Sequence, residues 1–77
     1  MKLGIYQHYK GNLYQVVGVG CHSESGEIVV IYQALYDSFG LWVRPLEMFD
    51  GAIEINGKPT KRFTFISAPL ETQPQMR

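Results

Sequence analysis

Residues 28–35, IVVIYQAL, are the longest apolar run in the chain. β-branched side chains fill its first half, and these pack well on a pleated strand but lose rotamer freedom against the preceding turn of a helix. Turn residues bound it on both sides, HSESGE before and DSFG after, so it reads as a strand of ordinary length. A strand this apolar must be covered on both faces, and it is expected to be the central strand of a sheet. The rest of the chain has to fit a β domain.

Residues 4–9 are rich in β-formers, and Lys10, Gly11 and Asn12 supply turn chemistry that leads into a second strand over residues 13–21. Gly18 and Gly20 alternate on one face of that strand, which marks a bend, a bulge or the close approach of another backbone. After the long strand, residues 37–40 turn the chain into LeuTrpValArg, so a second hairpin is expected there. Pro45 cannot donate to a ladder and ends that strand, and the residues after it read as a helical turn. Residues 52–55 and 62–66 alternate in polarity around Asn56–Gly57, a strong tight-turn signal, while Pro59 beside the turn requires an edge or a bulge. The expected class is all-β and mainly antiparallel: a small SH3-like barrel of six short strands with one short helical turn. An open meander packed with a partner is the structural alternative. Residues 67–77 show no apolar periodicity, so a single domain over 1–66 and a disordered C-terminal tail are expected.

Composition limits the partners. The chain has 77 residues, 45% of them apolar, enough for one core with a thin stability margin. Seven basic residues balance seven acidic ones, so net charge gives no indication of nucleic-acid binding. The lone Cys21 cannot close an internal disulfide and suits a reducing, cytoplasmic setting. The N-terminal residues lack a signal-peptide pattern, and no window approaches the roughly 20 apolar residues of a membrane span. No membrane partner is expected.

Several stretches taken together carry a resemblance: GIYQHYKGNLYQVVGV, the HSES of the first long loop, IVVIYQALY and above all GLWVRPLEMF. In this order they resemble the small bacterial family of domains of unknown function 1653, from Gly4 to Phe65. The family tends to read HSET where this chain has HSES, and this chain inserts Thr60, Lys61 and Arg62 before Phe63. The resemblance implies a compact β-rich bacterial domain and no established activity, cofactor or catalytic residue.

The residues themselves offer little for catalysis. Cys21 and His22 are adjacent, so on a strand they point to opposite faces and could meet as nucleophile and base only if the strand ended between them. His8, His22 and Cys21 match no zinc spacing, and GlyValGly at 18–20 is followed by no helix that could receive a phosphate. No metal site, cofactor or catalytic residue is expected. The aromatics are more informative, because the chain holds five tyrosines, four phenylalanines and one tryptophan, more than a core alone explains. Tyr6 and His8 share one face of the first strand and Trp42 and Arg44 share one face of the fourth, and barrel closure would bring these faces together. These four are the candidate ligand-binding residues, a surface suited to planar or anionic groups. Arg44 has a structural alternative, bridging to Glu47 or Asp37. The expected function is a non-catalytic binding module for a peptide, a nucleotide-like group or a small molecule. The alternatives are a small enzyme using His8 or His22 as acid or base, and a self-associating domain that forms a homodimer.

Overall fold

The computed structural model describes all residues from Met1 to Arg77. Local turn chemistry builds the sheet hairpin by hairpin. Strand β1 (Gly4–His8) reverses into β2 (Leu13–Cys21) at Gly11, whose φ of 108° needs glycine and whose N–H donates to the His8 carbonyl. The 22–27 loop leads into β3 (Ile28–Ala34), and there the Nδ1 of His22 accepts the N–H groups of Glu24 and Ser25. That use of His22 is turn chemistry. A tight turn with Asp37 and Phe39 at positive φ carries the chain into β4 (Leu41–Pro45). Pro45 then starts the four-residue helix α1 (Leu46–Phe49).

Beyond α1, β5 (Ala52–Ile55) and β6 (Lys58–Lys61) pair as a separate hairpin, and β7 (Phe63–Ser67) returns to β1. Asn56 and Gly57 form the hairpin's two-residue turn with φ of 51° and 77°, as such a turn demands. Pro59 lies on an outer strand of this two-stranded sheet, where its missing N–H costs nothing. Lys58–Lys61 thus adds a strand that the alternation pattern does not reveal.

The main sheet is antiparallel throughout, with order β4-β3-β2-β1-β7. The class is all-β, but the sheet is not closed into the expected barrel. Closure would require β4 to meet β7, and the residues between them go instead into α1 and the separate hairpin. Strand β3 is interior, flanked by β2 and β4, while β2 is the middle strand. Ile28 is 48% exposed rather than buried, because the β3–β4 pairing stops at Val29 opposite Pro45. A bulge between Val16 and Gly18 bends β2, and the end of the Ile31 side chain lies about 4 Å from where a Cβ would stand on either Gly18 or Gly20. A side-chain carbon at either position would meet that isoleucine only in ordinary van der Waals contact. No helix is long and apolar enough to cross a membrane.

Residues directly opposite in an antiparallel pair share a face. The rows Tyr6–Tyr14–Ala34 and Val16–Tyr32–Trp42 therefore define one aromatic face. Against it packs Phe49, whose ring stacks on Phe63 at 4.1 Å and 6°, meets Tyr6 edge-on and lies tilted against Tyr32. A helix of one turn does not persist alone, so Phe49 is what fixes it. Phe49→Ala would cost about 3–5 kcal/mol.

The opposite face carries the paired and buried Gln15 and Gln33. Here the last residues make main-chain hydrogen bonds to the domain. The Leu70 N–H donates to Gln15 Oε1 at 2.7 Å, Gln33 Nε2 donates to the Pro74 carbonyl at 2.7 Å, and the Arg77 N–H donates to the Ser38 carbonyl at 2.7 Å. Two buried amides capture main-chain groups of an extended segment, an attachment that needs no apolar periodicity.

Candidate functional site

Where the aromatic face runs past the core toward β4, it hollows into a shallow cavity of about 240 Å³ lined by Tyr14, Tyr32, Tyr36, Trp42 and Arg44. Strand pairing places four of them. Tyr14 comes from β2, Tyr32 from β3 and Trp42 and Arg44 from β4, while Tyr36 stands on the turn after β3. The hydroxyls of Tyr14 and Tyr36 are hydrogen-bonded to each other, and the Tyr14 ring lies edge-on to Tyr32 and Tyr36 with centres 5.5 Å apart in both cases. Arg44 Nε donates to the Tyr32 hydroxyl at 3.3 Å, and its guanidinium stands 5.9 Å from the centre of the Phe63 ring. Trp42 is 58% exposed and forms an open wall.

His8 closes the β1 side of this cluster, 5.0 Å from the Phe63 ring centre and 6.4 Å from that of Tyr14. Burial lowers its pKa below the usual 6.5, and the positive charges of Arg44, Arg62 and Lys10 lower it further. Tyr14 is pushed the other way, up to about 12, first by burial and then by its bond to Tyr36 and the nearby phenols, with Asn12 opposing. The Tyr14 phenol therefore remains a neutral hydrogen-bonding group at ordinary pH.

All four residues chosen from the sequence lie on this one face, joined by strand register through β2 and β3 rather than by barrel closure. Their surroundings differ. Tyr6 is a core residue, 8% exposed, wedged edge-on against Phe49 and Phe65 with its hydroxyl donating to the Lys2 carbonyl. Trp42 and Arg44 line the cavity and His8 borders the same aromatic cluster. The guanidinium takes Tyr32 as its polar partner rather than Glu47 or Asp37. Tyr14, Tyr32 and Tyr36 escaped the sequence reading because a tyrosine in a strand usually packs. Their signal was alternation in phase with Val16 and Trp42, visible only once the register is known.

A family model described as a protein of unknown function, DUF1653, matches residues 4–65. The chain belongs to the DUF1653 family. A crystal structure of a DUF1653 protein from Bordetella bronchiseptica is similar to it at 28% identity with a TM-score of 0.80, covering 94% of this chain and 95% of that one. No curated protein matches. The match spans every strand of this DUF1653 domain except the last residues of β7, so all five cavity residues fall inside it. Chemically, the cavity offers ring faces and edges for a flat group, phenol hydroxyls as donors or acceptors, and one guanidinium as a fork of N–H donors.

Proposed function

We propose that this DUF1653 domain is a non-catalytic binding module whose cavity between Tyr14, Tyr32, Tyr36, Trp42 and Arg44 holds a planar group bearing a carboxylate or phosphate. The observation that carries this reading is Arg44: a guanidinium at the wall of an aromatic hollow, bonded to a neutral phenol and to no carboxylate. A charge so placed is available to a ligand, and a flat ligand group can lie against Trp42 while its anion meets Arg44. His8 adds to this, since the cations that depress its pKa would favour an anion nearby. An acid–base role for His8 has less support, because a 240 Å³ hollow open to solvent does not exclude water from a reaction. The exposed, unpaired Cys21 fits a reducing, cytoplasmic location.

Trp42 is the sole tryptophan and reports on its own site. Titration of its fluorescence with adenosine monophosphate, adenosine, benzoate and benzamide compares anionic and neutral planar probes. Saturable quenching by the anionic members, weakened at least tenfold in Arg44→Ala, is expected. Equal response to charged and neutral members, or no saturation with any of them, would remove the reading.

A further inference from the structure

Strand β4 is an edge whose main chain is unfinished. The Ala34 N–H donates to the Gly40 carbonyl at 2.9 Å, which sets the phase of the β3–β4 ladder. Main-chain groups alternate in direction along a strand, so those of Trp42 and Arg44 point toward β3 and those of Leu41 and Val43 point outward. No strand lies on that side. The outward edge is also apolar on both faces, with Leu41 45%, Trp42 58% and Val43 62% exposed. Devices that commonly blunt such an edge are missing: the β3–β4 register has no bulge, Pro45 comes only at the strand's end, and the one charged residue, Arg44, turns inward to Tyr32.

We propose that β4 pairs antiparallel with β4 of a second copy of this chain about a two-fold axis at Trp42, which continues the sheet through both subunits. With Leu41 opposite Val43 of the second copy, the outward N–H and C=O of both residues are satisfied in both chains. A register centred on Val43 sets Leu41 against Pro45, which has no N–H to give. The chosen register places the two Trp42 rings side by side on the aromatic face and pairs Leu41 with Val43 on the other. Arg44 falls opposite Gly40 of the second copy, three residues from its Asp37 in sequence, in a turn whose Phe39 ring also carries the Arg77 guanidinium at 5.2 Å. The two Arg44 side chains stay apart. Each Trp42 then borders the other subunit's cavity and helps to wall a hollow that one chain leaves open.

This pairing is independent of any ligand, and its test needs none. Sedimentation equilibrium of the full chain is expected to give twice the 8.8 kDa chain mass at high concentration, falling toward 8.8 kDa on dilution. Trp42 emission is expected to shift to the blue as the dimer forms. Val43→Pro removes an outward N–H without removing a bond to β3, and is expected to be monomeric with the far-ultraviolet spectrum of the parent. Val43→Lys places a charge on the same edge without proline's backbone restraint and is likewise expected to be monomeric, so the test survives if the proline variant misfolds. A parent chain that stays at 8.8 kDa at every concentration, or a dimer that persists in Val43→Lys, would overturn the proposal.

Discussion

The hydroxyls of Tyr14 and Tyr36 share a hydrogen bond that ties β2 to the turn after β3, at the end of the cavity. Burial and this bond hold the Tyr14 phenol up to about 12 against an ordinary 10.0. Unfolding releases it to ionise normally. A group whose folded pKa is raised contributes stability that is complete below its unfolded value and is lost as pH rises through the folded one. Stability is therefore expected to fall between pH 10 and about 12. Tyr36→Phe removes the bond and should bring Tyr14 back toward 10.0, followed by phenolate absorbance; a Tyr14 titration unchanged in that variant would refute this.

His8 gives the opposite dependence. Its folded pKa lies below the usual 6.5, so the stability it contributes is present above 6.5 and is lost as pH falls through the lowered folded value. Since Arg44 is the first of the three cations acting on it, Arg44→Ala should move the His8 titration upward. Proton resonances of the imidazole measured against pH follow the change directly. An unmoved midpoint would separate His8 from the cavity's electrostatics.

Loss of Arg44 should cost little in folding. Arg44→Ala removes one hydrogen bond to a phenol and one contact with the Phe63 ring, together about 1–2 kcal/mol. Rupture of a buried ion pair costs about 3–5 kcal/mol, and urea unfolding distinguishes the two. A loss in the upper range would mean that a carboxylate is engaged after all.

Truncation after Ser67 should destabilise the domain. It leaves the almost wholly buried Gln15 Oε1 without the Leu70 N–H and removes one of the two carbonyls that Gln33 Nε2 donates to, Pro74, while Phe39 at 3.0 Å remains; an orphaned buried group costs about 1–3 kcal/mol. In a domain of this size that corresponds to a fall in Tm of at least about 4–8 °C by calorimetry. An unchanged Tm would mean that these contacts carry no stability.

The local features were legible in the sequence. The β3–β4 hairpin, the break at Pro45 and the Asn56–Gly57 turn each follow from residue types within a few positions. The common face of Tyr6 with His8, and of Trp42 with Arg44, follows from alternation alone. What joins the two pairs does not, because it runs through β2, whose bulge between Val16 and Gly18 resets the register. Whether β4 meets β7 is likewise a long-range matter that no single residue of either strand encodes. The contacts of residues 70 and 74 were not legible for a different reason: Gln15 and Gln33 bind main chain, an attachment with no apolar signature.

The stack of Phe49 on Phe63 lies beside a second tie, the Arg62 N–H donating to the Gly51 carbonyl at 3.1 Å. Together they pinch the chain at the base of the β5–β6 hairpin, so that everything between leaves the sheet and returns to nearly the same place. The hairpin shares no ladder with the main sheet. That makes it a natural graft point, since a longer arm or a foreign recognition loop inserted at Asn56–Gly57 would be carried on a clasp that the rest of the domain already holds shut.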